Sequence, residues 1–296
     1  MKIWVTGASG FLGRRLSTAL VDAGHEVTGL SRRRPVAEFP SVQIDLSSDA
    51  AKDEIRNLCR DQGGPYVVVH AACQKPGLDG FSDYVKCNVL TTTNLLESLD
   101  PLPRLVIYPS TLSVYGRSDE QPVKETQPTK ADFPYALTKR WAETIISKFE
   151  APTQVVILRL PTLYGAGQHD SFVDGLARLA LSGQEIELFG FGKTVRDALY
   201  VQDAVQAVLQ CITAPPAAQF ACFNLGCGQR LTTEDYARAL VMALKSGSRI
   251  VAVDRPSPQL FDLYADISAA QRWIGFQPSD LSTSMERYAI ELRAQS

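Results

Sequence analysis

The chain opens Lys2-Ile3-Trp4-Val5-Thr6 and turns at once through Gly7-Ala8-Ser9-Gly10-Phe11-Leu12-Gly13. No other segment constrains the fold as tightly as this apolar run followed by spaced glycines and an amphipathic stretch. Glycine allows a turn at φ > 0 and lets a helix begin directly over the strand end, with its first N–H groups facing outward. Those groups and the helix dipole suit a phosphate. In a strand-turn-helix setting this is the phosphate-binding turn of a dinucleotide fold, with Gly7, Ser9, Gly10, Phe11, Leu12 and Gly13 as its predicted contacts. A tight turn that needs glycine only for its backbone angles is the alternative reading.

Beyond the turn, β-branched runs at 27–30, 42–45, 66–70, 104–108 and 155–160 alternate with helical periodicity at 11–23, 49–61, 83–99 and from 134 onward. That rhythm predicts an α/β chain built on a doubly wound parallel (Rossmann) sheet with a smaller C-terminal substrate-binding lobe. The rhythm loosens after 160, through turn clusters at 165–167, 190–192 and 215–216. The predicted organisation is therefore a dinucleotide-binding domain over 1–163, to which a strand near 222–225 returns, and a substrate lobe over most of 164–296.

With 30 basic and 32 acidic residues, the chain has no field to draw in nucleic acid or an anionic membrane, so an anionic ligand must be met by local arginines. The N-terminus runs straight into the first strand without a secretory pattern, and no run approaches the ~18 apolar residues of a membrane span. A soluble, cytoplasmic protein is expected. The cysteines at 59, 73, 87, 211, 222 and 227 show no metal or CxxC spacing and read as free thiols, with no metal site.

The second strand ends Leu30-Ser31-Arg32-Arg33-Arg34. An acidic residue there would bond the adenosine ribose and select NAD. A hydroxyl and the guanidiniums of Arg32 and Arg33 suit a 2′-phosphate, so NADP is preferred over NAD. Asp45-Leu46 is placed to bound the adenine. Tyr135 and Lys139, four apart behind Pro134, share one helix face, an arrangement that suits a proton-shuttling phenol whose pKa a neighbouring ammonium lowers. Ser110-Thr111, just past a strand end, offers a hydroxyl to a reacting oxygen, or else only a turn cap.

With those residues in place the sequence resembles the extended short-chain dehydrogenase/reductase family, the NAD-dependent epimerase/dehydratase group, over nearly its whole length. The resemblance rests on ordered motifs: the glycine turn, His70-Ala71-Ala72, Asn88 with Thr92 and Asn94, Ser110 through Gly116, Tyr135-Ala136-Leu137-Thr138-Lys139 and Leu158-Arg159 leading to Tyr164-Gly165. Later come Val195-Arg196-Asp197, Tyr200-Val201-Gln202-Asp203, Asn224-Leu225-Gly226, Arg255-Pro256, Asp266 and Ile274-Gly275-Phe276-Gln277-Pro278.

The resemblance implies that Thr111, Tyr135 and Lys139 are catalytic, the lysine also binding the nicotinamide ribose, and that Ala71, Ala72 and Asn88 touch the cofactor. It implies that Thr111, Ser113, Tyr135 and Thr162 meet substrate, with Arg196 and Arg255 gripping the diphosphate of a nucleotide sugar. It also implies a homodimer built on helices around 84–96 and 141–146.

Departures bear on the substrate. Thr111-Leu112 lacks the Asp-Glu pair of the dehydratases, Thr162 stands where many sugar-nucleotide enzymes have Asn, and Thr91 replaces a glycine. The favoured expectation is an NAD(P)-dependent ketoreductase acting at C4 of a nucleotide-linked deoxysugar. A 4-epimerase with tightly bound NAD and a non-catalytic dinucleotide-binding regulator are the alternatives. His169 reads as a loop residue with a possible acid role, Cys73 as a pocket-lining thiol and His70 as a packed strand end.

Overall fold

The computed structural model describes residues 1–33, 37–73, 77, 80–149, 152–257 and 261–294. Arg34 and parts of 74–81 and 259–263 lie outside the described residues. The chain forms two compact units: residues 1–116, 128–159 and 205–223, and residues 117–127, 160–204 and 224–296. The division therefore follows residue 159 rather than 163. The stretch 117–127 joins the second unit and the whole of 205–223 returns to the first, so each unit's core collects segments distant in sequence.

The first unit is a seven-stranded sheet of β1 (Lys2–Thr6), β2 (Glu26–Ser31), β3 (Ser41–Gln43), β4 (Val67–His70), β5 (Leu105–Thr111), β6 (Gln154–Leu160) and, from later in the chain, β10 (Phe220–Asn224). Their order is β10-β6-β5-β4-β1-β2-β3, and β1 pairs in parallel with both β2 and β4. Strands such as Val67-Val68-Val69-His70 are buried at every residue, as expected of a parallel sheet covered on both faces. Trp4, Leu30, Val68, Val106 and Val155 of the sheet form one core with Ile55 of α2 (Ala51–Gln62), Leu95 of α4 (Thr91–Leu96) and Ile146 of α5 (Pro134–Ser147), and α1 (Phe11–Asp22) and α3 (Phe81–Tyr84) are the unit's other helices.

A π-helical segment, Val85–Leu90, joins α3 to α4 where the sequence predicts one continuous helix over 83–99. The strand order reverses between β1 and β4. In open sheets that switch point is where ligands bind, outside the carboxyl ends of the strands. The register sets Thr6 opposite His70 at that end.

The second unit pairs β7 (Thr162–Tyr164) in parallel with β9 (Ala198–Tyr200), and β8 (Ile186–Phe189) with β11 (Ile250–Val253). Helices α6 (Phe172–Leu181), the start of α7 (Val201–Thr213), α8 (Thr233–Leu244), α9 (Ser268–Ile274) and α10 (Leu281–Arg293) complete it. Buried Asp197 accepts the backbone N–H groups of Cys227 at 2.9 Å and Ala265 at 3.0 Å. It fits only because Gly226 has no Cβ, which would lie 2.3 Å from its Oδ2. No helix among the described residues is long and apolar enough to cross a membrane.

Candidate active site

At the end of β1, Gly7 has φ +67°, and a Cβ there would come within 2.8 Å of the Ala72 backbone. The predicted residues Ala71 and Ala72 thus run directly behind the turn. A Cβ on Gly13 would stand 2.2 Å from the Gly7 carbonyl oxygen, so only glycine lets α1 start this close to the strand. The N-cap is Gly10, no side chain caps it, and the first turn holds no acidic residue. That arrangement fits the pyrophosphate of a dinucleotide.

At the end of β2, Ser31 is buried and donates to the Arg33 carbonyl at 3.0 Å, while Arg32 and Arg33 are exposed. The Arg32 guanidinium lies 3.8 Å from Cys87 Sγ. Burial pushes the Asp45 carboxyl up, but hydrogen bonds from the Ser47 hydroxyl and N–H, with the charge of Arg32, outweigh it and hold the group below its usual range. Asn94 donates to the Leu46 carbonyl at 2.9 Å and fixes that strand end.

The switch point is crossed by a directional hydrogen-bond relay. The Ala72 N–H donates to Thr6 Oγ1 at 3.0 Å, and Thr6 Oγ1 lies 2.8 Å from His70 Nδ1. On the other side, His70 Nε2 lies 2.9 Å from Thr92 Oγ1, whose own proton goes to the Asn88 carbonyl at 2.7 Å. Thr92 must therefore accept, so His70 carries its proton on Nε2 and accepts from Thr6 at Nδ1. Asn88 in turn donates to Thr138 at 2.9 Å, which ties the π-helical segment to α5.

Burial, with the charge of Lys139, pushes His70 down to about 3. A histidine whose folded-state value is depressed contributes its full stability above the unfolded value near 6.5 and loses it as pH falls from there toward 3. Of the three histidines, His70 is expected to keep its Cε1 proton shift constant by NMR down to about pH 5. A titration near 6.5 would contradict the relay.

Thr111 is the last residue of β5, which runs three residues beyond its predicted end at 108. Its hydroxyl accepts the Ser113 N–H at 3.1 Å, which places Ser113 in the following short turn, and its side chain acts on the Tyr135 phenol. Pro134 at the first turn of α5 sets Tyr135 and Lys139 on one face. Lys139 is 1% exposed and donates to the Pro109 carbonyl at 2.7 Å. The expected lowering of the phenol by Lys139 is not found. Burial foremost, then Cys73 and Tyr84, push Tyr135 up, with only Thr111 acting downward, because the ammonium is turned to Pro109 and is itself pushed down by burial.

One helical turn past Lys139, buried Glu143 accepts from Arg159 through two bonds, at 3.1 and 2.8 Å, and from Ser110 at 2.5 Å. Arg159 also donates to the Tyr115 hydroxyl at 2.8 Å. Neither Glu143 nor Tyr108 was singled out from the sequence. The signal for Glu143 was its spacing of four from Lys139.

In the second unit, Thr162 is half-buried on β7. Arg196 stacks over the Phe172 ring at 4.0 Å, and burial pushes it down to about 10. Arg255 is exposed and pairs with Glu187 at 3.1 Å, so any anion it binds must compete with that carboxylate. His169 is exposed, as is the thiol of Cys73 in the first unit.

Residues 3–226 match the NAD dependent epimerase/dehydratase family. Among curated proteins, UDP-glucuronate 4-epimerase 4 of Arabidopsis thaliana is 29% identical over 97% of this chain and 74% of its own. A probable UDP-glucuronate 4-epimerase of Rhizobium meliloti is 28% identical over 74% of this chain and 70% of its own. Among solved structures, MoeE5 in complex with UDP-glucuronic acid and NAD superposes with a TM-score of 0.86 at 27% identity, covering all of both chains. The UDP-glucuronic acid 4-epimerase of Bacillus cereus, in complex with UDP-glucuronic acid and NAD, superposes at 0.84 and 24% identity, again over the whole of both chains, and shares the fold.

Proposed function

Because the chain belongs to the NAD dependent epimerase/dehydratase family, we propose that it inverts C4 of a UDP-linked sugar, with UDP-glucuronate as the substrate to try first. The observation that carries the proposal is Thr111 at the end of β5 with Tyr135 and buried Lys139 on one face of α5, in the same unit as the sheet whose switch point holds the glycine cradle. The ketoreductase preferred on sequence grounds is less well supported than its epimerase alternative, since the two relatives named above carry UDP-glucuronate 4-epimerase names and MoeE5 was solved with UDP-glucuronic acid and NAD.

Gly7, Gly10 and Gly13, with the N-terminus of α1, hold the cofactor pyrophosphate, Asp45 and Leu46 bound the adenine, and Lys139 holds the nicotinamide ribose. When bound, the nicotinamide supplies the hydride acceptor and donor. Tyr135 takes the proton of the C4 hydroxyl and returns it to the same oxygen after the sugar has turned, and Thr111 steadies that oxygen. Thr111 favours the phenolate needed for the first half. Ser113 and Thr162 bond the sugar. Arg196 and Arg255 take the diphosphate, Arg255 at the expense of its pair with Glu187.

The Ser31-Arg32-Arg33 strand end supports NADP as the dinucleotide, although the named neighbours hold NAD. Phe81, Leu90 and Trp141 are exposed, and the Phe81 and Trp141 rings meet edge-on at 5.9 Å, which supports self-association through these helices in a homodimer. The free cysteines are those of a cytoplasmic protein. One purified sample tests these points. Mass spectrometry of the denatured protein is expected to release NADP, retained because an epimerase recycles its cofactor, and light scattering to give a dimer. A cofactor that washes out freely, NAD in its place or a monomer at micromolar concentration would each overturn its part.

A further inference from the structure

The Lys139 ammonium lies inside the protein with little to compensate its charge. Among the described residues its one hydrogen bond goes to the Pro109 carbonyl and no carboxylate pairs with it, because Glu143 spends both oxygens on Arg159 and Ser110. What the ammonium does meet is the ring of Tyr108, with Nζ 4.0 Å from the ring centroid. Tyr108 is 1% exposed, and its hydroxyl finds no partner among the described residues, so the ring rather than the oxygen is what the site uses. The same ring stacks on His70, with centroids 5.6 Å apart. A desolvated cation over an aromatic face is held by the ring quadrupole more strongly than at an exposed site.

We propose that Tyr108 is a positioning residue for Lys139, its ring face holding the buried ammonium by cation–π attraction and keeping it charged beside Tyr135. The inference rests on the catalytic role given to Lys139 above. The groups facing the ammonium are consistent with it. From β4 and its continuation, His70 is neutral and the Cys73 thiol favours the charge. From α5, Glu143 also favours the charge, and Tyr135 is the phenol that Lys139 serves. From β5 come only the Pro109 carbonyl and the Tyr108 ring. Burial still pushes Lys139 down, with Cys73 and Glu143 opposing, so removing the ring's attraction lowers it further.

The test keeps the ring's shape while draining its face of electrons. Tyr108→Phe and then mono-, di- and trifluorinated phenylalanine at position 108 are compared, with the Lys139 titration read by NMR of ¹³C-labelled lysine. The signal is assigned by its loss in Lys139→Ala. Tyr108→Phe is expected to leave the midpoint in place, and the fluorinated series to lower it stepwise by about 1 pH unit in total. The high-pH limb of kcat should move down with it.

A midpoint unmoved across the series, or one displaced as far by Phe as by the trifluorinated ring, would overturn the inference and leave the role of Lys139 standing. A midpoint that follows fluorination while Lys139→Ala turns over at the wild-type rate would keep the inference and overturn that role.

Discussion

Tyr135→Phe is expected to lower turnover by about three orders of magnitude while leaving cofactor and nucleotide sugar bound, within the range of a lost general acid–base group. The substitution removes only the oxygen. The ring keeps its stacked contact with Phe133 and its edge contact with Tyr84, each at 6.4 Å between centroids. The fold of α5 should therefore survive, and the loss should appear equally in kcat and kcat/KM, the pattern of an interaction made in the transition state. Steady-state rates with a UDP-sugar, beside a thermal melt of the variant, check it. Full turnover would remove Tyr135 from the chemistry, and a lost melt would show that the oxygen holds the fold instead.

Arg159→Met is expected to cost about 3–5 kcal/mol of stability, read as the shift of the urea midpoint, because it leaves the buried Glu143 carboxylate with only the Ser110 bond and a longer pair with half-buried Arg140 at 3.7 Å. The two side chains are 8% and 1% exposed. The pair is bidentate, and its partners Ser110 and Tyr115 flank Thr111 on β5 and the turn after it. The double variant with Glu143→Gln should recover a large part of the loss, since it removes the stranded charge along with its partner. A loss below about 1 kcal/mol, the worth of an exposed pair, would mean that water reaches this cluster.

The sheet and its glycine turn were legible in the sequence because both are dictated locally. Alternating β-branched and amphipathic stretches set the strand order's raw material, Gly13 is required by the nearby Gly7 carbonyl, and Gly7 by its positive φ as well as by the distant Ala72 backbone. Tyr135 and Lys139 were legible through their helical spacing, and His70 is the packed strand end it was read to be. The end of β5 was not. Pro109 reads as a stop for a central strand, yet the chain stays extended through Thr111 beyond the residues that pair with β4, the last of which is Ile107.

The surroundings of Lys139 were hidden for another reason. Its carbonyl partner lies 30 residues away in sequence, and the Glu143–Arg159 pair spans 16, separations that no local period encodes. The same applies to residues 117–127, whose assignment to the second unit depends on Val123 bridging to Ala265. The downward effect of Lys139 on Tyr135, drawn from spacing alone, took no account of the Pro109 carbonyl toward which the ammonium turns.

The central claim is that the chain inverts C4 of a UDP-sugar by removing and returning one hydride. UDP-glucuronate carrying deuterium at C4, incubated with the protein and no reductant, is expected to yield its C4 epimer with the deuterium still at C4 and no net change in the dinucleotide's redox state. A product without deuterium, or no inversion together with stoichiometric consumption of added NADPH, would contradict it.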